Sequence, residues 1–337
     1  MAAAAWLIAF VTWSIEPAGY DFVAFYAAAR LAATGHASSV ADPEALLAME
    51  HAAVPQRTIL LPDANLPALA VVMAPLGALP IGVAFAIWTA AGVLALLWAA
   101  RLLGPLAPAA QRFRLFPFAL LAPPSLIALV EGQTTPFVLL AVAGSLRVPP
   151  LASGVLLGLV AFRPQLLPVF AIVALIERRR AVGFIATALV IGVVSLLTLG
   201  LEGLTDYPTQ FAIAATELRP GELGLIPLVR RVIGGNDVVL NLSLAAVAAI
   251  LGAAAVLLRS RMFRTRMVDA SIWSILAAPH ALLHDGVMAY PAVARAATTR
   301  GATALWVGSG LAVALIQQAG IPIAPIWLVA LWIAGRR

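Results

Sequence analysis

Long apolar runs, interrupted by charged residues or by proline and glycine, occupy most of this chain. Only 11% of its residues are charged, against about 25% in soluble domains, so a soluble core could not bury this much apolar surface. We therefore expect an all-α, polytopic transmembrane helical bundle of about 10–12 spans, forming one domain over residues 1–337. Several runs are shorter than the roughly 20 residues of a full crossing, which predicts broken or half-length helices. The runs are 2–13, 66–79, 80–102, 113–130, 133–147, 151–162, 164–176, 180–200, 238–258, 268–280, 286–297, 302–318 and 322–335.

Arginine clusters predict the orientation of the bundle, because the cytoplasmic loops of membrane proteins are rich in basic residues. All the clusters lie inside if the run 66–79 does not cross fully, and the polar segments 14–65 and 201–237 then form two larger outer loops. Thirteen of the 15 acidic residues, all except Glu177 and Asp269, and all four histidines fall outside. We expect a multi-pass protein of the cell (inner or plasma) membrane whose chemistry faces away from the cytoplasm. The clusters are Arg112 and Arg114, Arg178–Arg180, Arg259–Arg266, and Arg336 with Arg337.

Composition excludes several kinds of chemistry. The chain has no cysteine, so disulfides, thiol catalysis and cysteine-ligated metal centres are ruled out. It has no nucleotide-binding loop, dinucleotide fingerprint or hydrolase signature, and we expect no cofactor. Its net charge of +6 is explained by membrane topology, so we expect membrane lipids, and no nucleic acid, among its partners.

Asp21 precedes an amphipathic stretch that begins at Phe22 and has the spacing of a helix. Its carboxylate could deprotonate a hydroxyl group, or it could cap the helix that follows. Arg30 lies about half a turn round from Asp21 and shares a face with Tyr26. Arg30 could therefore pair with a lipid phosphate or anchor the helix at the headgroups.

Two polar groups interrupt the apolar runs further along. Glu131 and Gln133 flank Gly132, as in a polar turn, and they are also candidate substrate ligands. Arg163 and Gln165 flank a proline between two short apolar halves. An ionisable residue at this depth is costly and suggests function, and a guanidinium fits phosphate oxygens. Arg163 is therefore a candidate phosphate ligand, with pairing to an acid as the alternative.

The segment from His280 to Asp285 predicts a broken helix on the outer side. His280 and His284 would share a face if the helix were continuous, a spacing that can hold zinc. No third ligand has a recognisable motif, so we expect no metal and favour phosphate or substrate contacts, with capping as the alternative for Asp285. Arg230 and Arg231 break the positive-inside pattern and could bind a lipid phosphate or anionic headgroups.

In their order along the chain, these motifs resemble glycosyltransferase family 87, whose members are GT-C-type polytopic membrane enzymes. The resemblance runs from about residue 19 to residue 290. The matching motifs are the stretch from Asp21 to Arg30 with Thr34-Gly35-His36, the block from Leu66 to Trp88, Glu131-Gly132-Gln133, Arg163-Pro164-Gln165, in which arginine replaces the family's lysine, and Pro279 to Asp285.

The resemblance implies a function on the outer face of the membrane. A sugar, most often mannose, would move with inversion from a polyprenyl-phosphate donor to a hydroxyl of a lipid or glycan acceptor, with Asp21 as the base. Predicted donor-phosphate ligands are Arg163, Arg230, Arg231, His280 and His284, and predicted substrate contacts are Tyr26, Arg30, Glu131, Gln133, Gln165 and Asp285. The alternatives are a lipid or small-solute transporter or flippase, or a non-catalytic membrane subunit. Convergence of Asp21, Arg163 and His284 on one site would favour the enzyme.

Overall fold

Every regular element in the described part of the chain is a helix, which confirms the predicted all-α fold. The computed structural model describes residues 21–56, 60–61, 65–216, 222–233, 238–299, 301–302, 305, 309–310, 312–313 and 323–334, with backbone only at 202, 208–216, 231–233 and 238. The α-helices are α1 (Phe22–Ala33), α2 (Pro43–Ala53), α3 (Ala68–Gly77), α4 (Ile81–Leu103), α5 (Leu115–Leu121), α6 (Pro123–Val130), α7 (Thr135–Ser145), α8 (Pro150–Gly158), α9 (Leu167–Leu175), α10 (Arg178–Thr216), α11 (Leu225–Ile233), α12 (Val238–Arg259), α13 (Phe263–Ala277), α14 (Tyr290–Ala296) and α15 (Ala324–Ala334). Short 3-10 helices cover Ala37–Ala41, Gly104–Leu106, Ala109–Arg114, Leu159–Phe162, Pro164–Leu166 and Leu283–Ala289.

Three helical stretches of the described chain are long and apolar enough to cross a membrane: Ile81–Leu106, Arg178–Leu201 and Val239–Arg259. A fourth candidate is the pair Ala109–Leu121 and Pro123–Val130, which is bent by 42° at a short break. Six further apolar helices are only 10–17 residues long, in keeping with the expected half-length helices. The chain is thus a helical membrane protein. The predicted first span at 2–13 and most of the run 302–318 lie outside the described residues.

The run 66–79, on which the predicted orientation depends, contains the ten-residue helix α3. A helix of that length covers about half of a hydrocarbon core. It packs closely on α1. The two backbones approach so closely at Gly77 that an added Cβ would lie 2.5 Å from the backbone carbonyl of Ala29. The helix therefore has the length of half a membrane crossing, as the predicted orientation requires. The orientation of the bundle in the membrane stays a prediction.

The first polar segment contains two helices, α1 and α2, but α1 is not the amphipathic helix that the sequence predicted, because every residue from Phe22 to Ala29 is buried. The side chains of Phe22, Phe25 and Tyr26 are at most 5% exposed and pack against α3 and α4. The burial of these aromatic side chains holds α1 within the bundle, and Asp21 at its start is half-buried.

The second polar segment is partly helical. Helix α10 continues to Thr216 beyond a break at Gly200, whose φ of 62° and ψ of −167° are non-helical. Helix α11 follows over Leu225–Ile233. The sequence predicted one polar loop over 201–237, and the structure instead resolves these two helical stretches within it.

Candidate active site

The turn at residues 131–133 lies directly against the start of α1. The backbone N–H of Phe22 donates to the carbonyl of Glu131 at 2.9 Å, and the indole N–H of Trp88 donates to the carbonyl of Gly132 at 2.7 Å. Gly132 has a φ of +71°, and a Cβ there would lie 2.6 Å from Cβ of Phe22. Only glycine fits both the backbone conformation and the contact, so this turn fixes Asp21 next to Glu131 and Gln133.

Asp21 does not cap α1, because its side chain makes no capping hydrogen bond. Instead the side-chain amide of Gln133 donates to Oδ2 of Asp21. Oε1 of Gln133 accepts from Nη1 of Arg163 at 2.8 Å. Since arginine has only donors, it fixes the amide with its oxygen towards Arg163 and its N–H₂ towards Asp21. Asp21 therefore acts as the acceptor in this contact.

Arg163 also donates, through Nη2, to Oδ1 of Asp285. Both residues are at most 5% exposed, and Oδ2 of Asp285 accepts from the backbone N–H of Leu282 at 3.1 Å. Burial alone would raise the pKa of Asp285, but the charges of Arg163 and His284 and these hydrogen bonds lower it below its usual value. Of the two interpretations of Arg163 left open by the sequence, the structure shows pairing with an acid. Asp285 also makes the local capping contact that the sequence analysis left as an alternative.

His284 lies between two carboxylates. Its Nδ1 is 2.7 Å from Oε2 of Glu131, and its Nε2 is 3.6 Å from Oδ2 of Asp285. Burial on its own lowers the pKa of His284, but Asp285 and Glu131 together outweigh that effect and raise it. The imidazole is only 3% exposed, so both carboxylates favour its protonated form in a largely dry site.

His280 belongs to a separate pair. Its Nδ1 is 2.8 Å from Oε1 of Glu222. Helix α13 ends at Ala277, and the next helical segment begins only at Leu283, so the predicted break is present and the two histidines do not lie one helical turn apart. The zinc spacing considered for His280 and His284 is therefore not formed.

The other predicted residues have different surroundings. The hydroxyl of Tyr26 donates to the carbonyl of Leu79 at 2.7 Å, and Nη1 of Arg30 lies 3.2 Å from the Tyr26 hydroxyl and from the carbonyl of Gly77. Tyr26 and Arg30 do share a face, and their described contacts hold the end of α3. Gln165 is half-buried in the 3-10 turn after Arg163.

The second outer segment supplies one described cation. Arg230 is 1% exposed on α11, whereas the side chain of Arg231 lies outside the described part of the chain.

In total, the structure brings six predicted residues into one connected polar network. They are Asp21, Glu131, Gln133, Arg163, His284 and Asp285.

Sequence reasoning missed one feature of this network. One ligand-type atom from each of Asp21, Glu131 and His284 lies within 4.8 Å of the others, a group that could hold a metal ion. A motif search looks for metal ligands at short spacings, and these three come from separate segments of the chain. The only signal in the sequence was that all three are polar residues at the edges of apolar runs.

Fold and site together define the class of this protein: a helical membrane protein with a connected network of ionisable side chains between its helix ends. The profile of glycosyltransferase family 87 matches residues 66–284 of the chain, a range that includes Glu131, Gln133, Arg163 and His284. The chain therefore belongs to this family and is a glycosyltransferase. No curated protein and no solved structure matches it.

Proposed function

We propose that this glycosyltransferase moves a sugar, mannose in the first instance, from a polyprenyl-phosphate donor to a hydroxyl group of a lipid or glycan acceptor. The reaction takes place on the outer face of the cell membrane and inverts the anomeric configuration. The observation that carries the proposal is the hydrogen-bonded series of Asp21, Gln133, Arg163 and Asp285, with His284 beside it. It combines a base and cationic groups in one buried network.

Asp21 is the general base in this proposal. Gln133 donates to Oδ2 of its carboxylate and orients it, and a carboxylate oxygen is the group that accepts the proton of the acceptor hydroxyl. As that proton moves to Asp21, the acceptor oxygen attacks the anomeric carbon and the bond to the donor phosphate breaks, with its electron pair leaving on the phosphate. A polyprenyl phosphate is a weak base, so it can leave without a general acid.

The cationic groups of the site stabilise the departing phosphate. Arg163 and protonated His284 lie on either side of Asp285 and are the cationic groups within the described network. Arg230 and Arg231, from the second outer segment, are assigned to the same phosphate, and so is His280. A fixed guanidinium and imidazolium in a dry site stabilise developing negative charge more strongly than they would in water.

An apolar pocket lies against the same 3-10 segment that carries His284 and Asp285, and its apolar lining suits the first isoprene units of a polyprenyl chain. Leu283 and Gly286, which flank these two polar residues, line the pocket. The other lining residues are apolar or aromatic and include Phe118, Tyr290 and Trp327. A lipid-linked sugar could therefore place its chain on one side of the segment and its phosphate on the other.

The proposal is tested with purified protein in liposomes, given polyprenyl phosphates that carry radiolabelled mannose or glucose, together with extracted membrane lipids. We expect label from mannose to appear in a new lipid or glycan product whose anomeric configuration is opposite to that of the donor. Movement of intact donor across the bilayer without a new product would instead establish a transporter. Retention of the donor's anomeric configuration would contradict the single-base mechanism.

A further inference from the structure

We propose that Asp21, Glu131 and His284 form a binding site for one divalent cation of the Mn²⁺ or Mg²⁺ type. The three side chains can each offer a ligand atom within 4.8 Å of the others. Two carboxylates and one imidazole are a donor set that suits hard and borderline divalent ions, and three protein ligands leave coordination positions open. The site is the one described above, but the inference stands on its geometry and does not depend on sugar transfer.

The ligands are held in place before any ion arrives. The hydrogen bond from Phe22 to the Glu131 carbonyl links the first two ligands through the backbone, and the tight turn at Gly132 restricts that connection further. Nδ1 of His284 is 2.7 Å from Oε2 of Glu131, close to the separation of about 3 Å between neighbouring ligands of a six-coordinate ion. Small side-chain shifts would therefore complete the site.

The surroundings of His284 provide a second, independent argument. A metal-bound histidine usually directs its other ring nitrogen at a carboxylate, which fixes the tautomer and strengthens the ligand. Nε2 of His284 faces Oδ2 of Asp285 at 3.6 Å, while Nδ1 faces Glu131, one of the two other proposed ligands. Asp285 is itself held by Arg163 and by the backbone of Leu282, so the outer ring of a metal site is already present.

The charge of the network also favours a cation. Within its described contacts, three carboxylates, those of Asp21, Glu131 and Asp285, face the single guanidinium of Arg163 and the imidazole of His284. A metal-bound imidazole is neutral, so the ion takes the place of the proton on His284, and the sum is then two negative charges before any anionic phosphate arrives. A divalent ion would neutralise that charge, and its open positions could bind phosphate or hydroxyl oxygens.

The test uses the full chain in detergent, treated with chelator and then titrated with Mn²⁺ while electron paramagnetic resonance measures the free ion. We expect one Mn²⁺ per chain, and an affinity at least about tenfold weaker in Glu131→Gln and in His284→Gln, with Asp21→Asn weakened as well. The chain offers a matched control in the pair His280 and Glu222, which has the same residue types at 2.8 Å. Among described residues that pair belongs to no group of three potential ligands, so Glu222→Gln should bind Mn²⁺ as the wild type does.

A second measurement on the wild type is independent of how the variants fold. Bound Mn²⁺ should show electron spin-echo modulation from a directly coordinated imidazole nitrogen. Absence of that nitrogen coupling, or equal Mn²⁺ binding by the wild type and by Glu131→Gln, would overturn the proposal. Both readouts record ion binding and not sugar transfer. A negative result in them would overturn the ion site alone, and a negative transfer assay would overturn the proposed function alone.

Discussion

The side-chain amide of Gln133 donates a hydrogen bond to Asp21, although 112 positions separate the two residues in the chain. The amide can only point this way because its oxygen is held by Arg163. Gln133 thus relays the effect of a buried guanidinium to the proposed base, and it orients the carboxylate without being itself a proton donor or acceptor in the reaction.

Replacing Gln133 tests this relay. We expect Gln133→Met, which removes both hydrogen bonds at similar volume, to lower kcat by about 10–100-fold, because a misplaced base loses much of its effect. The KM for the donor should change by less than about threefold. Steady-state transfer kinetics provide the measurement, with Gln111→Met as the control, a buried glutamine near the arginine cluster at 112–114. A rise in KM with unchanged kcat would identify Gln133 as a substrate ligand instead.

The turn at Gly132 should not tolerate a side chain. Gly132→Ala would force a left-handed backbone on alanine, at roughly 1–2 kcal/mol, and would crowd Phe22 in addition. We expect a clear fall in the thermal unfolding temperature in detergent, together with a loss of transfer activity. Gly192→Ala is the matched control, since a Cβ there meets nothing within 4 Å, and it should be neutral or slightly stabilising. Equal stability of the two variants would contradict the described geometry.

The buried pair of Arg163 and Asp285 should be sensitive to loss of one partner. Asp285→Asn leaves the guanidinium without its counter-charge, and removing one member of such a pair typically destabilises a protein by about 3–5 kcal/mol. We expect thermal unfolding to show a smaller loss in the double variant Arg163→Met with Asp285→Asn than in Asp285→Asn alone. Glu177→Gln breaks the half-exposed pair with Arg180 and should change stability by less than about 1 kcal/mol. A double variant less stable than Asp285→Asn would argue against a coupled pair.

A substitution of Arg30 distinguishes a role in packing from a role in substrate binding. Its described hydrogen bonds serve the Tyr26 hydroxyl and the Gly77 carbonyl at the end of α3. We therefore expect Arg30→Met to lower the unfolding temperature while the KM for the donor stays within about twofold, and exposed Arg101→Met to change neither. If the KM of Arg30→Met rose without loss of stability, the substrate role considered from the sequence would be supported.

The sequence could identify the helical membrane fold and most members of the network, because polar residues within apolar runs are conspicuous. It could not identify their partners, because a contact such as that of Arg163 with Asp285, 122 positions apart, depends on how the helices pack. It also left open that Asp21 caps the helix, since the nearby turn that supplies Gln133 is invisible in the local pattern. The pairing of His280 with Glu222 was missed because the two residues are 58 positions apart, and a local pattern does not show which distant segments meet.

The role of Asp21 as the base is the central claim, and a single-turnover rate tests it most directly. Protein in liposomes with saturating labelled donor should transfer sugar about 10²–10⁴-fold more slowly as Asp21→Asn than as wild type, because general-base catalysis contributes that much. Donor binding should be retained, and Asp206→Asn, at an exposed position in the second outer segment, should transfer at the wild-type rate. Transfer by Asp21→Asn within about twofold of the wild-type rate would contradict the assignment.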